Sequence, residues 1–545
     1  MVVLSLAACL PGGAAEKETT AATDRQQSDL FSSDIIPHIE IEISNEGMET
    51  LREHTGRRAD TPQRNDVLAT VREGGRTYRQ VSLHLKGSGG SFRRVDANPG
   101  LTLTFDKHLA GQRFHGLQKI SLNNSVQDST FLCERVGRRM FDAAGVPVPR
   151  SSYATVRLNG RSLGLYVLVE GWNKQFLKRH FKDAGGNLYE AALGMDISDS
   201  LEVKSGDAPE DRRALSTLLR AVREPNLTNR CAEISRALDM DRFFTFMALE
   251  VMIGHWDGYC LHENNYRIFH DRSAGRLVFL PHGMDQLFGM RRPEMDPPVI
   301  PQVSGMVAAA ILETDEGRQR YLDRMAELHA RVFDLDALTN DLRRTAARLR
   351  PLLAEDASAL STFESRVPML EKRVLQRYFD VRDQLAEART PLRIRGGTHT
   401  FNVSGWISRR DSGRPNFSRR DRNGIDGLQI TANSPADSGT WRRSALLEAG
   451  RYRFEGRVRV ENTSRWNLVL SPTVSLRSSE DGQTRRTERG EGVVAFTHEF
   501  TVDAPRRVEF ICELKGGPGR ATFESGSLKV QRLSGGNPAE APVAK

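Results

Sequence analysis

Ile253-Gly254-His255-Trp256-Asp257-Gly258-Tyr259-Cys260-Leu261-His262-Glu263-Asn264-Asn265-Tyr266-Arg267-Ile268-Phe269-His270-Asp271, followed by Arg276-Leu277-Val278-Phe279-Leu280-Pro281-His282-Gly283-Met284-Asp285, decides how this chain is read. It follows an almost wholly apolar segment, Phe243 to Ile253. A helix apolar all round is buried, and Asp239 or Asp241 is placed to cap its start. Asp257 is therefore delivered to the edge of a core. Tyr266 to Phe269 and Arg276 to Leu280 read as two strands around the turn Asp271-Arg272-Ser273-Ala274-Gly275. The second strand ends in Pro281-His282-Gly283-Met284-Asp285, so a second carboxylate stands at a strand end. Asp257, Asn264, Asn265 and Asp285 are thus expected to converge on one site.

That inventory suits phosphoryl transfer, in which one carboxylate orients a hydroxyl while an Asn and an Asp hold magnesium. Taken singly, Asp257 and Asp271 read equally well as turn residues and Asp285 as a helix cap. The order Asp, Asn, strand, turn, strand, Asp is more telling, because protein kinases place their catalytic-loop and metal-binding residues in that order. The spacing differs: Asn265 lies eight residues after Asp257, where a kinase has five.

The run His255-Trp256-Asp257-Gly258-Tyr259, Asn264-Asn265-Tyr266-Arg267-Ile268-Phe269 and Pro281-His282-Gly283-Met284-Asp285-Gln286-Leu287-Phe288-Gly289 resembles the CotH family of atypical, kinase-like spore-coat proteins. That family usually shows Pro-Trp-Asp-hydrophobic-Asp before Phe-Gly. Here the Trp and the first Asp are replaced by His282 and Gly283, and the last Asp is kept as Asp285. The resemblance spans roughly residues 35 to 335. It implies an α+β fold with an atypical protein-kinase-like domain, ATP and Mg²⁺ as cofactors, and a Ser/Thr-containing protein as substrate. In that assignment Asp257 orients the acceptor hydroxyl, Asn265 and Asp285 hold Mg²⁺, and Asn264 is the reserve ligand.

Upstream, His38 to Ile43 and Val81 to Lys86 alternate with period two, as strands do. The second runs into Gly87-Ser88-Gly89-Gly90-Ser91, which reads either as a hairpin tip or as a phosphate cradle of backbone N–H groups beside the Lys86 cation. The CotH-like Lys/Arg-Gly-x-Ser segment favours the cradle, so Lys86 is expected to steady the phosphates. Asp128 or Ser129 is expected to cap a helix carrying Leu132, Val136 and Met140, which Gly145 and Pro147 end. Ala154 to Leu158 and Leu163 to Glu170 are strands around an Asn159-Gly160 turn. By the same resemblance, Glu170 holds Lys86 or contacts the nucleotide; read as sequence alone it is an exposed strand-end Glu.

Downstream, helical periodicity runs from about Gly317 to Leu385, and residues 336–390 are expected to form a helical extension that Pro351 and Pro368 interrupt. From 395 to 534, short strands separated by Gly, Asn, Pro or Ser predict a C-terminal β-sandwich. Gly450-Arg451-Tyr452-Arg453-Phe454-Glu455-Gly456 resembles jelly-roll modules of the carbohydrate-binding kind. Trp406, Trp441 and Trp466 are candidates to stack on a glycan, although core packing is the commoner fate of Trp in a sandwich. Arg409-Arg410 and Arg419-Arg420 read as solvated. Residues 535–545 read as a disordered tail.

The first nine residues read as the end of a secretion signal, with Leu6-Ala7-Ala8-Cys9 matching a bacterial lipobox. Residues 10–34 are polar and suit a disordered tether. The expected location is therefore the cell envelope, anchored by lipid at Cys9. The chain has 545 residues and a formal charge of +8, with no basic stripe interleaved with aromatics, which sets nucleic acid aside as a partner. Cys133, Cys231, Cys260 and Cys512 are scattered, without the pairing of a zinc site. Three readings follow. The first is a CotH-like protein kinase acting on Ser/Thr of an envelope or secreted protein. The second is a non-catalytic envelope adhesion protein with a vestigial site and a glycan-binding sandwich. The third, a metal hydrolase using His255, His262, His270 and His282, lacks the helical i, i+4 histidine spacing of zinc enzymes.

Overall fold

A computed structural model describes residues 30–32, 35–54, 65–290, 297–389, 392–394, 397–401, 405–413, 415–420, 426–462, 472–480, 487–489 and 492–533. The Cys9 lipobox, Trp466 and the tail beyond Leu533 lie outside them. The chain packs as two units, one running to Asp380 without Pro297–Gln302, the other holding Pro297–Gln302 and everything from Val381 onward. The division falls inside the helix Ala357–Arg389.

The first unit opens with seven strands: β1 (His38–Ile43), β2 (Val67–Glu73), β3 (Arg76–Lys86), β4 (Gly100–Thr104), β5 (Lys119–Asn123), β6 (Ser151–Leu158) and β7 (Arg161–Glu170). They close into a barrel in the order β1-β2-β3-β4-β5-β7-β6, with β1 parallel to β6 and the other pairs antiparallel. Strand alternation explains its two surfaces. Val81, Leu83 and Leu85 of β3 fill the interior with Leu101, Leu103, Ile120, Leu122 and Leu168. Ser82, His84 and Lys86 consequently face out, with Thr102 opposite His84 and Ser121 opposite Thr102. This outer face is polar, and Lys86 ends it. The Asn159-Gly160 turn takes the left-handed conformation at both residues, as read from the sequence. Leu30–Ser32, expected to lie in the tether, are helical, and Leu30 is buried in the barrel's core cluster.

Helix α1 (Cys133–Ala143) follows the barrel's fifth strand. Its N-cap is Leu132 rather than Asp128 or Ser129, so the helix begins later than expected; the Asp128 carboxylate, five residues before Cys133, still accepts from the Cys133 N–H at 2.9 Å and from the Thr130 N–H at 3.0 Å. A four-stranded sheet comes next, in the order β11-β10-β8-β9, made of β8 (Leu188–Glu190), β9 (Glu202–Ser205), β10 (Tyr266–Asp271) and β11 (Arg276–Pro281). The hairpin β10–β11 is the one read from the sequence, its turn held by the Asp271 carboxylate accepting from the Ser273 N–H at 3.0 Å. Helix α2 (Met240–Met252), capped by Asp239, is the buried apolar helix, and Phe243 meets Phe279 of β11 edge-on at 4.9 Å. Its last carbonyls are answered from the long helix Ala357–Arg389. Arg377, 2% exposed, donates to Val251 O at 2.6 Å and to Met252 O at 3.0 Å. Cations at a helix C-terminus satisfy both the open carbonyls and the dipole. Contrary to expectation, Pro368 lies inside that helix without ending it. The lost backbone bond is offset by burial of Leu370 and Val374 on the following turns.

The second unit has two mostly antiparallel sheets. Ser438–Leu447, Arg506–Lys515 and Thr473–Ser478 pair in one, and Asp426–Ala432, Gly519–Glu524 and Gly450–Asn462 pair in the other. Side chains of both share one core, including Trp406, Trp441, Phe454, Phe510 and Phe523. Trp406 and Trp441 are fully buried, so neither has a face to offer a sugar. Trp441 donates its indole N–H to Gln429 O at 3.1 Å and packs edge-on against Phe417. Arg419, read as solvated, instead lies 5.1 Å above the Trp441 ring, and burial lowers its pKa to about 10. Trp441→Ala is expected to destabilise this unit by about 3–5 kcal/mol, the usual cost of truncating a buried Trp. Denaturant unfolding of the whole chain, followed by the fluorescence change of this unit, measures it; a shift below 1 kcal/mol would contradict the core assignment.

A candidate phosphoryl-transfer cleft

The Asp257 turn is shaped by one carboxylate. Glu250, on the last turn of α2, is completely buried and accepts from the N–H groups of Tyr259 (3.0 Å) and Cys260 (2.9 Å). Those N–H groups begin the short helix α3 (Tyr259–His262). A negative charge at a helix start is favourable, and it pulls residues 253–259 back over the end of α2. Gly254 takes a left-handed conformation to allow this (φ +62°). Gly258 has no room for a side chain, since a Cβ there would lie 2.5 Å from Glu250 Oε1. Tyr259 anchors the turn from below through its hydroxyl, 3.1 Å from Asp196, whose carboxylate also accepts from the Met306 N–H at 2.6 Å.

Asp257 and Asn265 come together as expected. Asn265, left-handed at φ +51°, donates its amide nitrogen to Asp257 Oδ2 and to Asp257 O, both at 3.0 Å. Its Oδ1 turns over Gly283, where a Cβ would sit only 2.3 Å from it. Gly283 is itself left-handed (φ +53°), so the missing Asp of the family pattern has neither backbone conformation nor space at this position. The His282 N–H donates to Asn265 O at 2.9 Å, tying the two segments in register. Asn264 is partly exposed beside Asn265 and has no side-chain hydrogen bond among the described residues.

Asp285 lies two residues past Gly283. Burial raises its pKa to about 7, and the charges of Glu134 and Asp128 push the same way. Glu134 was not anticipated from the sequence. It sits one residue into α1, where Cys133-Glu134-Arg135 resembles any solvated first turn, yet it is 3% exposed. Its Oε2 accepts from the Asn123 amide at 2.6 Å, and the same Asn123 accepts from Lys86 Nζ. Burial alone would raise the Glu134 pKa, but Arg138, bonded at 2.6 Å, and Lys86 outweigh it and hold the carboxyl ionised. Through Asn123 a strand lysine is thus tied to the helix glutamate whose charge reaches Asp285.

Glu170 does not hold Lys86. It is 3% exposed, and its carboxylate is bound by Arg179 (Nη2 to Oε2, 2.6 Å) and by Arg150 (Nη2 to Oε1, 3.1 Å), with the Arg150 N–H at 3.1 Å. Burial would raise its pKa; the two guanidinium groups more than reverse this. The cations exist close in sequence, but only the fold brings Arg150 and Arg179 onto one strand end. Near Lys86 and His282 stand further cations. Lys119 is partly buried, its pKa lowered first by burial and then by Arg267. Arg267 is itself stacked 4.6 Å from the Trp172 ring and paired with Glu190, which also meets Lys204 at 3.0 Å. His282, between these groups, is held well below its ordinary pKa by burial and by Arg267.

Oxygen donors of the kind magnesium takes are present. Among the described residues no group of three His, Cys, Asp or Glu side chains is placed to hold a metal unaided. Asp285 and the Asn265 carbonyl offer two oxygens, and Mg²⁺ commonly takes one or two carboxylates and completes its shell with phosphate and water. The Asp285 pKa is raised first by burial and then by the charges of Glu134 and Asp128, and a bound cation would oppose that shift.

A seven-stranded closed barrel, a four-stranded sheet and a buried apolar helix define the first unit of a mixed α+β protein. The chain belongs to the CotH kinase protein family, whose model matches residues 78–386, more than half of it. Inner spore coat protein H of Bacillus subtilis (strain 168) is 22% identical over 261 residues, covering 45% of this chain and 71% of that protein. Invasin CotH2 of Rhizopus delemar is 22% identical over 311 residues, covering 52% of each, so the chain spans about half the invasin's length. Among solved structures, TmCBM61 bound to β-1,4-galactotriose overlaps 24% of this chain and 91% of its own at 13% identity, with a TM-score of 0.18. A family 35 carbohydrate binding module from Clostridium thermocellum overlaps 25% of this chain and all of its own at 8% identity, with a TM-score of 0.19.

Asp285 is expected to titrate near pH 7 in chelator. Its folded pKa is raised above the unfolded value, so the associated stability is complete below about pH 4 and is lost as pH climbs through about 7. The difference in unfolding free energy between wild type and Asp285→Asn, followed from pH 4 to 8, measures this. A flat difference across that range would contradict it.

Proposed function

We propose that this chain is a Mg²⁺- and ATP-dependent protein kinase that phosphorylates Ser or Thr of an envelope or secreted protein. The observation that carries the reading is the joining of Asp257 to Asn265, register-locked to the Gly283–Asp285 segment, with the Lys86–Asn123–Glu134 chain in electrostatic reach of Asp285. In this reading Lys86 and the cleft cations Lys119 and Arg267 steady the triphosphate, and Glu134 orients Lys86 through Asn123. Asn265 and Asp285 hold Mg²⁺, which neutralises charge on the phosphates. Asp257 accepts the proton as the acceptor oxygen bonds to the γ-phosphorus; the bond from that phosphorus to the bridging oxygen breaks, and ADP leaves. Asn265 keeps Asp257 aimed, and its amide leaves one carboxylate oxygen for the hydroxyl.

A surface or envelope location accords with the names of the relatives, a spore coat protein and an invasin. Lipid anchoring at Cys9 is part of the same proposal. The second reading, a binding protein with a vestigial site, is favoured by one feature: Gly283 stands where the CotH pattern has a second acidic residue. A glycan partner at the C-terminal unit would need contacts other than Trp406 and Trp441, both of which are core.

The two carboxylates give a split that tests the assignment. Asp285→Asn removes a ligand charge and is expected to weaken Mg²⁺-dependent binding of a non-hydrolysable ATP analogue. Asp257→Asn is expected to leave that binding within a few-fold and to lower transfer of labelled phosphate by about 10²–10⁴-fold, as for loss of a general base. Calorimetry and a labelling assay measure the two effects. Equal loss of binding in both variants makes the pair merely structural; nucleotide binding without any transfer in the wild type supports the binding-protein reading.

A further inference from the structure

His255 and Glu250 form a pair with no side-chain surface open to solvent. The helix that carries Glu250 is otherwise built for an apolar setting, and a carboxylate there is costly unless something compensates it. Its oxygens take the two N–H groups of Tyr259 and Cys260, and Oε1 lies 3.6 Å from His255 Nδ1. That is an ionic contact, too long for a hydrogen bond, and Nδ1 makes none. On the other side of the ring, Nε2 lies 3.0 Å from Gly283 O. Both nitrogens therefore face acceptors, the arrangement that suits an imidazolium with a proton on each. Burial would lower the His255 pKa, but Glu250 and then Asp257 outweigh it and hold the group above its ordinary value. Asp285 feels the same cation, which counters part of its own upward shift.

We propose that His255, carried by Glu250, is a positioning residue of the transfer site: it braces the carbonyl of Gly283 and so fixes the Gly283–Asp285 segment against the Asp257 turn. It touches neither the phosphates nor the acceptor hydroxyl. The inference rests on the phosphotransfer reading for its effect on rate, but the brace itself is a statement about geometry. A histidine placed only to fill the core would call for no buried carboxylate beside it. The turn is also shaped round the pair, since a Cβ on Gly258 would lie 2.5 Å from Glu250 Oε1 and 2.8 Å from His255 Nδ1. The brace acts on the carbonyl of Gly283, the residue that Asn265 overlies and that stands two before Asp285.

Two variants separate bracing from packing. His255→Gln keeps an N–H able to reach Gly283 O; His255→Leu keeps the volume and removes the donor. His255→Leu is expected to lower turnover about 10–100-fold, the scale of a displaced reactive group, with nucleotide affinity changed less than about threefold, and His255→Gln to recover most of the turnover. Equal losses in both variants, or full activity in His255→Leu, would overturn the proposal. A second measurement needs no activity. Amide hydrogen exchange over Met284–Phe288 is expected to be faster in His255→Leu than in wild type or His255→Gln, with helix α2 unchanged. Equal exchange in all three overturns the brace. A wild type that transfers no phosphate removes the phosphotransfer reading instead, and exchange still decides the brace.

Discussion

A carboxylate buried at the end of an apolar helix constrains everything around the cleft. Glu250 has no solvent to stabilise it, so the chain must bring donors to it. It does so by folding residues 253–259 back over α2, which spends two backbone N–H groups and puts His255 alongside. That fold has two consequences. Asp257 emerges at the cleft edge rather than continuing the helix, and the ring of His255 reaches the strand end that carries Gly283 and Asp285. Arg377 closes the same helix end from the opposite side by taking its last carbonyls. The Asp257 turn is thus held from the core outward.

The barrel supplies the other wall by plain strand alternation. An interior of Val81, Leu83 and Leu85 obliges Ser82, His84 and Lys86 to face out, so the last residue of β3 is a cation at the mouth of a polar face. Asn123, two strands away, links it to Glu134 on α1. Glu134 is ionised because Arg138 and Lys86 stand close, and its charge then burdens Asp285. In the proposed reading, Lys86 and Lys119 meet the phosphates, and the divalent cation carried on them would offset the burial and neighbouring charge that raise the Asp285 pKa.

Much of this was legible in the sequence, and the illegible parts share a cause. The apolar run to Ile253, the β10–β11 hairpin and the Asn159-Gly160 turn are local, each set by periodicity or by residues that tolerate left-handed backbone. The meeting of Asp257 with Asn265 followed from their order around that hairpin. Barrel closure did not, because β1 pairs in parallel with β6 more than a hundred residues on and neither strand carries a mark of its partner. Glu134 and Glu250 were passed over because a lone Glu in a helix looks solvated; only tertiary packing reveals it as buried. The resemblance puts Glu170 on Lys86 or the nucleotide and the bare sequence reads it as exposed, whereas it is buried and bound by Arg150 and Arg179. Trp406 and Trp441 were open to either fate, and two facing sheets took them inward. One signal was available: a single Glu amid eleven otherwise nearly apolar residues, four positions before a Gly-His, is an anomaly that asks for a partner.

The central claim is that Asp285 and Asn265 present oxygen to a metal that rides on a triphosphate held near Lys86. Crystals grown with Mn²⁺ and a non-hydrolysable ATP analogue test it most directly, because manganese is located by its anomalous scattering. The account predicts one strong anomalous peak coordinated by an Asp285 carboxylate oxygen and Asn265 Oδ1, with the β- and γ-phosphates completing the shell and Lys86 Nζ bonded to a phosphate oxygen. A peak elsewhere, or nucleotide bound away from Lys86 with Asp285 unliganded, would contradict it.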